Sequence, residues 1–161
     1  MAAEPHLLFR PTPFTQLCEV HWAKYYNNCS GFAKAVAEKS GVLLTGNAND
    51  IMQYVTDSWT YLADGRDAAN AASNGKFVIA GLAAKTGHGH VVVVVPGQLA
   101  HGKYPCAYWG TLHDMTFDIG GKKFTINSGV GRRHQTINWA WQHDVLPHVI
   151  YRATDASTLL R

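Results

Sequence analysis

The residue with the clearest capacity for covalent chemistry is Cys29, which lies in the segment Asn27-Asn28-Cys29-Ser30-Gly31. Helix-forming residues follow, and the pattern predicts a helix from about Ser30 to Lys39 with Cys29 at or just before its first turn. The positive end of a helix dipole favours thiolate over thiol, and unpaired N–H groups of the first turn can hold an oxyanion. Cys29 is therefore a candidate nucleophile, although a lone cysteine is more often a small, inert core residue.

A nucleophilic cysteine needs a base, and the candidate here is His90. It directly precedes Val91 to Val95, the strongest strand signal in the chain. If this strand starts beside the cysteine helix, the sulfur and the imidazole lie within hydrogen-bond reach or slightly beyond, and a charged His90 helps hold a thiolate. His88 points to the same side of an extended segment and is the competing base, but it does not adjoin the strand and is better explained as a residue at the cleft edge.

Two short motifs carry a family resemblance. The sequence Asn28-Cys29-Ser30-Gly31-Phe32 resembles the D-C-S-G-F/L nucleophile motif of the papain-like NlpC-type cell-wall peptidases, and Gly89-His90-Val91 is similar to their G-H-V base motif. Other segments narrow the resemblance to the type VI secretion amidase effectors, toxins that cut peptidoglycan peptides in rival bacteria. These segments are Gly46–Asn49, Ser58-Trp59, Phe77–Leu82 and Lys103–Pro105. The resemblance covers residues 27–112 well and residues 138–141 weakly.

The resemblance implies a reaction. It is hydrolysis of the amide bond between γ-D-glutamate and the diamino acid of the peptidoglycan stem peptide, with a Cys29–His90 dyad and no cofactor. In NlpC-type enzymes a His, Asn or Gln on the next strand usually orients the base. Residues 106–110 offer none, so the backbone carbonyl of Trp109 is the expected orienting group. Asn28, Ser30 and His88 are candidate substrate contacts.

The effector resemblance also implies partners and a place of action. A toxin that cuts the cell wall endangers its maker, so a cognate immunity protein is expected to cover the cleft. The first residues carry no recognisable signal peptide, and no window is long and apolar enough for a membrane span. We therefore expect a protein made in the bacterial cytoplasm without a signal peptide, exported, and active in the periplasm of a target cell.

Other functions fit parts of the sequence. One alternative is a housekeeping or phage cell-wall endopeptidase with the same dyad, and another is a lipid acyltransferase of the same superfamily, which should carry an apolar anchor. A third is a non-catalytic binding module that uses its basic surface. The spacing of His88 and His90 also suits zinc, but no compact pair of further ligands is evident, so no metal is expected.

Composition sets further bounds on the function. The 161 residues suit a single domain, 1–161, with 47% hydrophobic and 16% charged residues, which is typical of a globular fold. A net charge of +3 with nine histidines is compatible with an anionic polymer but falls short of a nucleic-acid-binding surface. The three cysteines are an odd number, so one thiol at least stays unpaired, and Cys18–Cys106 is the only bridge that leaves Cys29 free.

Hydrophobic patterns predict early helices followed by consecutive strands. Residues 1–11 form an irregular tail, and Thr12-Pro13 starts a helix that ends near Tyr25. Further helices are predicted after Asn49 as N-cap and over 67–73, with loops over 57–65 and 129–134. Strands are predicted at 77–80, 91–95, 107–109 and 149–151, with a hairpin over 115–126 that turns at Gly120-Gly121. This order indicates an α+β fold with N-terminal helices packed on an antiparallel sheet, which agrees with the papain-like resemblance.

Two surface features were ambiguous in the sequence. Trp139 and Trp141 could line a groove for glycan or peptide, but their spacing of two also suits a strand with one buried and one half-exposed ring. Arg132 and Arg133 could bind a substrate carboxylate, although a solvated loop is the simpler interpretation.

Overall fold

The structure is a computed structural model that describes residues 12–85, 89–111, 115–126 and 131–156. Within these ranges there are four α-helices, all before β2: α1 Pro13–Tyr25, α2 Cys29–Lys39, α3 Ala48–Ser58 and α4 Gly65–Ser73. The strands are β1 Thr60–Leu62, β2 Phe77–Leu82, β3 His90–Val94, β4 Cys106–Trp109, β5 Met115–Ile119, β6 Lys122–Ile126, β7 Arg132–Thr136 and β8 Ile150–Thr154. Two short 3₁₀ helices, Ile137–Trp139 and Leu146–His148, precede β8.

Six strands form one antiparallel sheet in the order β1-β8-β2-β3-β4-β7, and β5 and β6 form a separate hairpin. The central pair, β2 and β3, is in continuous register from Val78 opposite Val94 to Leu82 opposite His90. His90 therefore stands at the first paired position of a central strand. The predicted α+β class with an antiparallel sheet is confirmed.

Both faces of the sheet are covered. Val91, Val93 and Val95 belong to the core beneath α1, α2 and α3, whereas Val92 and Val94 belong to the core beneath α4 and the 3₁₀ segments. All five valines are completely buried, and each stabilises the fold by about 1.5 kcal/mol on the usual scale for burying such a side chain. The prediction of a central strand covered on both sides is confirmed.

The first two helices start as the sequence predicts. The Thr12 hydroxyl accepts the Thr15 N–H at 3.0 Å, and Pro13 follows in the first turn of α1. The helix ends at Tyr25, as predicted. These local signals are strong because the Thr12 side chain accepts one unpaired N–H of the first turn and Pro13 has no N–H that would need a partner.

Asn49 is not the N-cap of α3, as the sequence suggested. Asn47 is the cap, and it forms a reciprocal capping box with Asp50, in which each side chain accepts the other residue's N–H at 3.0 Å. Asn49 lies in the first turn, and its side chain reaches across to another element. The predicted loop over 57–65 is also wrong, because α3 continues to Ser58 and β1 follows.

Two predictions near the C-terminus are corrected as well. Arg132 and Arg133 lie in edge strand β7 rather than in a loop, since β4 offers them backbone partners that no local pattern shows. Trp139 ends a 3₁₀ helix rather than a strand, although the expected burial is found: Trp141 is buried and Trp139 is exposed. The hairpin is confirmed, with Phe117 opposite Phe124 and positive φ at both turn glycines.

The three cysteines are all free, so no Cys18–Cys106 bridge forms. Among the described residues, no helix combines the length and the apolar character that a membrane crossing requires. The irregular tail predicted over residues 1–11 lies outside the described residues.

Candidate active site

Cys29 is the first residue of α2, at the position where helix N–H groups are unpaired. The Asn28 carboxamide oxygen caps this helix by accepting the Gly31 N–H at 2.9 Å and the Ser30 hydroxyl at 3.2 Å. Asn28 and Ser30, the candidate substrate contacts, thus use their side chains to hold the first turn around Cys29. Their role toward a substrate stays a prediction, and His88 lies outside the described residues.

The turn before Cys29 is held from the other side by two loop segments. The Tyr26 carbonyl accepts the N–H groups of Thr111 at 2.9 Å and Gly131 at 3.0 Å. Gly110 packs so closely that a Cβ there would lie 2.1 Å from the Tyr25 oxygen and 2.7 Å from the Asn28 nitrogen. The position of the candidate nucleophile therefore depends on two glycines that come after β4 and before β7.

We expect Gly110→Ala to displace the turn that carries Cys29, because neither backbone contact can yield without moving the helix start. Overpacking of this kind costs about 1–3 kcal/mol, and activity per folded molecule should fall by about tenfold or more, since small displacements at a reacting group are costly. Thermal unfolding and hydrolysis of peptidoglycan should be measured together. Gly121→Ala is the matched control: its φ of +83° makes alanine strained, but nothing lies within 4 Å. The control should lose stability but keep its activity per folded molecule. If Gly110→Ala behaves in the same way, the close contact of Gly110 with the turn before Cys29 does not position the nucleophile.

Burial dominates the chemistry of the Cys29 thiol. The residue is 8% exposed. Burial raises the pKa of this thiol, and the backbone N–H groups of Val91, Ser30 and Cys29 itself lower it in part. The helix start favours the thiolate, as the sequence indicates, but desolvation outweighs that effect at rest. Cys29 is therefore a neutral thiol in this structure, with donors already directed at its sulfur.

His90 is fully buried between two tryptophans. Its ring lies 5.1 Å from the Trp141 ring and 6.5 Å from the Trp109 ring, both in edge-to-face arrangements. Neither ring nitrogen has a hydrogen-bond partner among the residues that the structure describes. Burial lowers the pKa of His90 to about 3, so the imidazole is neutral at physiological pH. The charged His90 expected from the sequence is wrong for this arrangement, because the ring lies in an apolar cage.

The two candidate catalytic residues converge on the start of β3. The N–H of Val91 acts on the Cys29 sulfur, and His90 is the preceding residue. However, the His90 ring lies on the face of Val92 and Val94, against the second core, whereas Cys29 belongs to the first core. The Cys29 sulfur and the His90 ring therefore lie on opposite faces of the sheet at the start of β3, and no hydrogen bond joins the thiol and the imidazole.

The Trp109 carbonyl has a different partner from the one expected. It accepts the indole N–H of Trp22 at 3.1 Å, and no hydrogen bond joins it to His90. Trp109 contacts His90 through its ring instead. The orientation of His90 in this structure thus depends on packing against Trp109 and Trp141 rather than on a hydrogen-bonding third residue. The effect of Trp141 on His90 could not be inferred from the sequence, since the two positions are 51 residues apart.

Asn49 supports the segment that leads into His90. Its carboxamide accepts the Ala84 N–H at 2.8 Å and donates to the Ala84 carbonyl at 3.1 Å. A Cβ on Gly89 would lie 2.5 Å from the Asn49 oxygen, so the same side chain contacts both ends of the connection from β2 to β3. Two asparagines close together are the local signal for this region, but the helix cap is Asn47 rather than the predicted Asn49.

The buried neutral imidazole predicts a pH dependence of stability. The pKa of His90 is depressed in the folded state, so the unfolded chain binds the proton more tightly. This contribution to stability is fully present above about pH 6.5, the ordinary histidine value, and is lost as pH falls toward about 3. We expect the free energy of unfolding to decline by up to about 1.4 kcal/mol per pH unit in that window because of this group.

His90→Gln keeps a polar side chain of similar size without the titration, so its stability should fall less steeply between pH 6.5 and pH 4. Urea unfolding of both proteins at several pH values measures the difference. Identical slopes would contradict the buried neutral imidazole.

Metal binding finds no support in the part of the chain that the structure describes, where no group of three or more His, Cys, Asp or Glu side chains could hold an ion. A groove of about 710 Å³ lies along α2; Asn28, the residue before the candidate nucleophile, lines it, whereas Cys29 itself does not. The groove begins at Tyr25 and Asn28, follows one side of α2 past Lys34 and Glu38, and ends at Leu44. Its size is in the usual range for sites that bind small ligands or peptides.

No protein-family profile matches this chain. The chain is 43% identical over 103 residues to the peptidoglycan amidase Tse1 of Pseudomonas aeruginosa. The aligned segment covers 59% of this chain and 66% of that protein, so the chain spans slightly less than two thirds of the relative's length. The resemblance to peptidoglycan amidases that the two short motifs indicate is confirmed by this similarity.

Proposed function

We propose that this protein is a cysteine amidase that hydrolyses the γ-D-glutamyl–diamino acid bond of the peptidoglycan stem peptide. The observation that carries the proposal is the position of Cys29 at the first residue of α2, where the backbone N–H groups of the helix start are unpaired. Similarity to a peptidoglycan amidase supports the substrate. The groove beside Asn28 has room for a peptide.

In the proposed reaction, the Cys29 sulfur attacks the amide carbonyl carbon while the thiol proton passes to His90. Backbone N–H groups near the helix start hold the resulting oxyanion. Collapse of this intermediate breaks the C–N bond, and the imidazolium returns a proton to the departing amine. Water then attacks the thioester with its proton taken by His90, and the carboxylate product and the free thiol are released.

The reaction requires a movement of His90. Because the imidazole and the sulfur lie on opposite faces of the sheet, the start of β3 has to rearrange before the ring can leave Trp141 and reach the sulfur. Hydrogen bonds between catalytic groups are often absent before a substrate is bound. Burial is the only cause of the low pKa of His90, so a ring that leaves the cage regains basicity. Two ring nitrogens buried without partners are costly to retain, which is typical of groups kept for function.

The same proposal includes the biological setting implied by the motifs. We propose that the protein is an antibacterial effector that acts in the periplasm of a target cell, and that a cognate immunity protein blocks the cleft. Periplasmic expression should be toxic, and co-expression of a neighbouring open reading frame should restore growth. If no neighbouring gene restores growth, the result would favour a housekeeping or phage enzyme instead.

The direct test is digestion of purified peptidoglycan followed by mass analysis of the fragments. The expected products carry a free γ-carboxyl on D-glutamate and a free amine on the diamino acid. Cleavage of another peptide bond would correct the specificity, whereas cleavage of the glycan strand or no cleavage would overturn the mechanism.

A further inference from the structure

Trp139 differs from the other tryptophans in its exposure. Trp109 and Trp141 are buried and Trp22 and Trp59 are partly buried, whereas Trp139 is 56% exposed. The guanidinium of Arg132 lies over its ring, 4.9 Å from the centroid. Leaving a large apolar ring in water forgoes the stabilisation that burial would give, so such a residue at a rigid position is a candidate contact for a ligand.

The backbone segment that carries the Trp139 ring is held in place by buried neighbours and hydrogen bonds. Trp139 lies between Ile137, which is fully buried, and Ala140, which is 1% exposed. The Ile137 N–H donates to the Pro105 carbonyl at 3.0 Å, and the Ala140 N–H donates to the Ile137 carbonyl at 2.8 Å. The Trp139 indole is therefore attached to a fixed backbone and contacts the Arg132 guanidinium. Less side-chain entropy is then lost when a ligand binds to the ring.

The pair also lies close to the candidate base. Arg132 is opposite Trp109 in the register of β4 and β7, and Trp141 touches the His90 ring. Only Ala140 separates Trp139 from Trp141, so their Cα atoms are at most about 7 Å apart. A ligand stacked on Trp139 is thus within the length of one or two sugar or amino-acid units of the segment that holds the candidate base, His90.

We propose that Trp139 and Arg132 form a platform for a pyranose ring of the glycan strand that carries the stem peptide. An aromatic face complements the apolar C–H face of a sugar, and a planar guanidinium held over that ring has N–H donors for its hydroxyl groups. One ring and one arginine are too small for a protein interface, which needs about 800 Å² on each partner. The placement relative to the cut bond rests on the proposed function.

The first test compares two substrates that differ only in the sugar. Trp139→Ala should lower kcat/KM about tenfold on a disaccharide-linked stem peptide and leave the free stem peptide within about twofold. Tyr61→Ala is the matched control, since Tyr61 is 68% exposed under Arg152 at 5.0 Å but lies on the opposite edge strand of the sheet. An equal loss on both substrates, or no loss on either, would overturn the sugar platform.

A binding measurement makes the result independent of catalysis. Peptide-free glycan strands should shift the Trp139 indole signal in the ¹H–¹⁵N spectrum of the Cys29→Ala protein, and an Arg132→Ala change should weaken that binding. Absence of any shift would overturn the platform even if the peptide is cut. A shift in a protein that cuts no peptidoglycan would keep the platform and overturn the proposed reaction.

Discussion

Cys29→Ala should abolish hydrolysis of peptidoglycan while leaving the protein folded. Removing the sulfur removes the only atom that can form the thioester, so turnover should fall by at least about four orders of magnitude, as for other catalytic nucleophiles. The cap of α2 does not use the sulfur, because Asn28 supplies it. Truncation of this small side chain should therefore cost little stability. Fragment analysis of digested peptidoglycan and thermal unfolding should be measured on the same preparations.

Cys106→Ser is the matched control for the nucleophile. The Cys106 thiol donates to the Gln98 carbonyl at 3.4 Å, and a hydroxyl can make the same contact. This variant should keep full activity. Full activity of Cys29→Ala would instead support the alternative of a non-catalytic binding module, and loss of activity in both variants would point to a general effect of thiol loss on the fold.

His90→Gln and His90→Ala should each lower turnover by about two to three orders of magnitude, the usual contribution of a general base. Glutamine is the cleaner replacement because the ring is fully buried against Trp141, and alanine would leave a cavity. We expect His90→Ala to lose stability as well as activity, whereas His90→Gln should lose mainly activity. Hydrolysis of a stem-peptide substrate by each variant gives the comparison.

His88→Ala is the control for the choice of base. It should stay within about tenfold of the parent protein, or about 1.4 kcal/mol, since a residue at the cleft edge affects binding more than chemistry. A dead His88→Ala protein with an active His90→Gln protein would show that the base is His88. Iodoacetamide labelling adds a second measurement: with a neutral imidazole at rest, labelling of Cys29 should rise only toward alkaline pH in the parent and in His90→Gln. A parent protein labelled rapidly at neutral pH would indicate the ion pair that this structure lacks.

Local features of the site follow from the sequence because their causes are local. Asn28, Ser30 and Gly31 form the start of α2 within a single turn, so the place of Cys29 on a helix could be read directly. The valine run predicted a central strand, since only a strand covered on both faces tolerates five consecutive apolar residues. The residues of the glycine turn at 120–121 fixed the hairpin register in the same way.

Features that depend on distant partners were missed or assigned wrongly. The local pattern predicts a helix cap at Asn49 because its contact with Ala84, 35 positions away, leaves no signal in the neighbouring residues. The sequence predicts a loop at Arg132 and Arg133 because a polar edge strand is defined by the neighbour that pairs with it, here β4. The N-cap of α3 is Asn47 instead of Asn49, because Asn47 forms a capping box with Asp50.

The sequence by itself determined which residues could do chemistry: a cysteine at a helix start, a histidine at a strand start, and their similarity to wall-cutting amidases. Only the tertiary structure decided the state of those residues. Cys29 is kept as a thiol by burial, and His90 is kept neutral by Trp109 and Trp141, which lie far from it in the chain. The reason is that residue type and spacing fix which groups can ionise, whereas desolvation depends on every element packed around them.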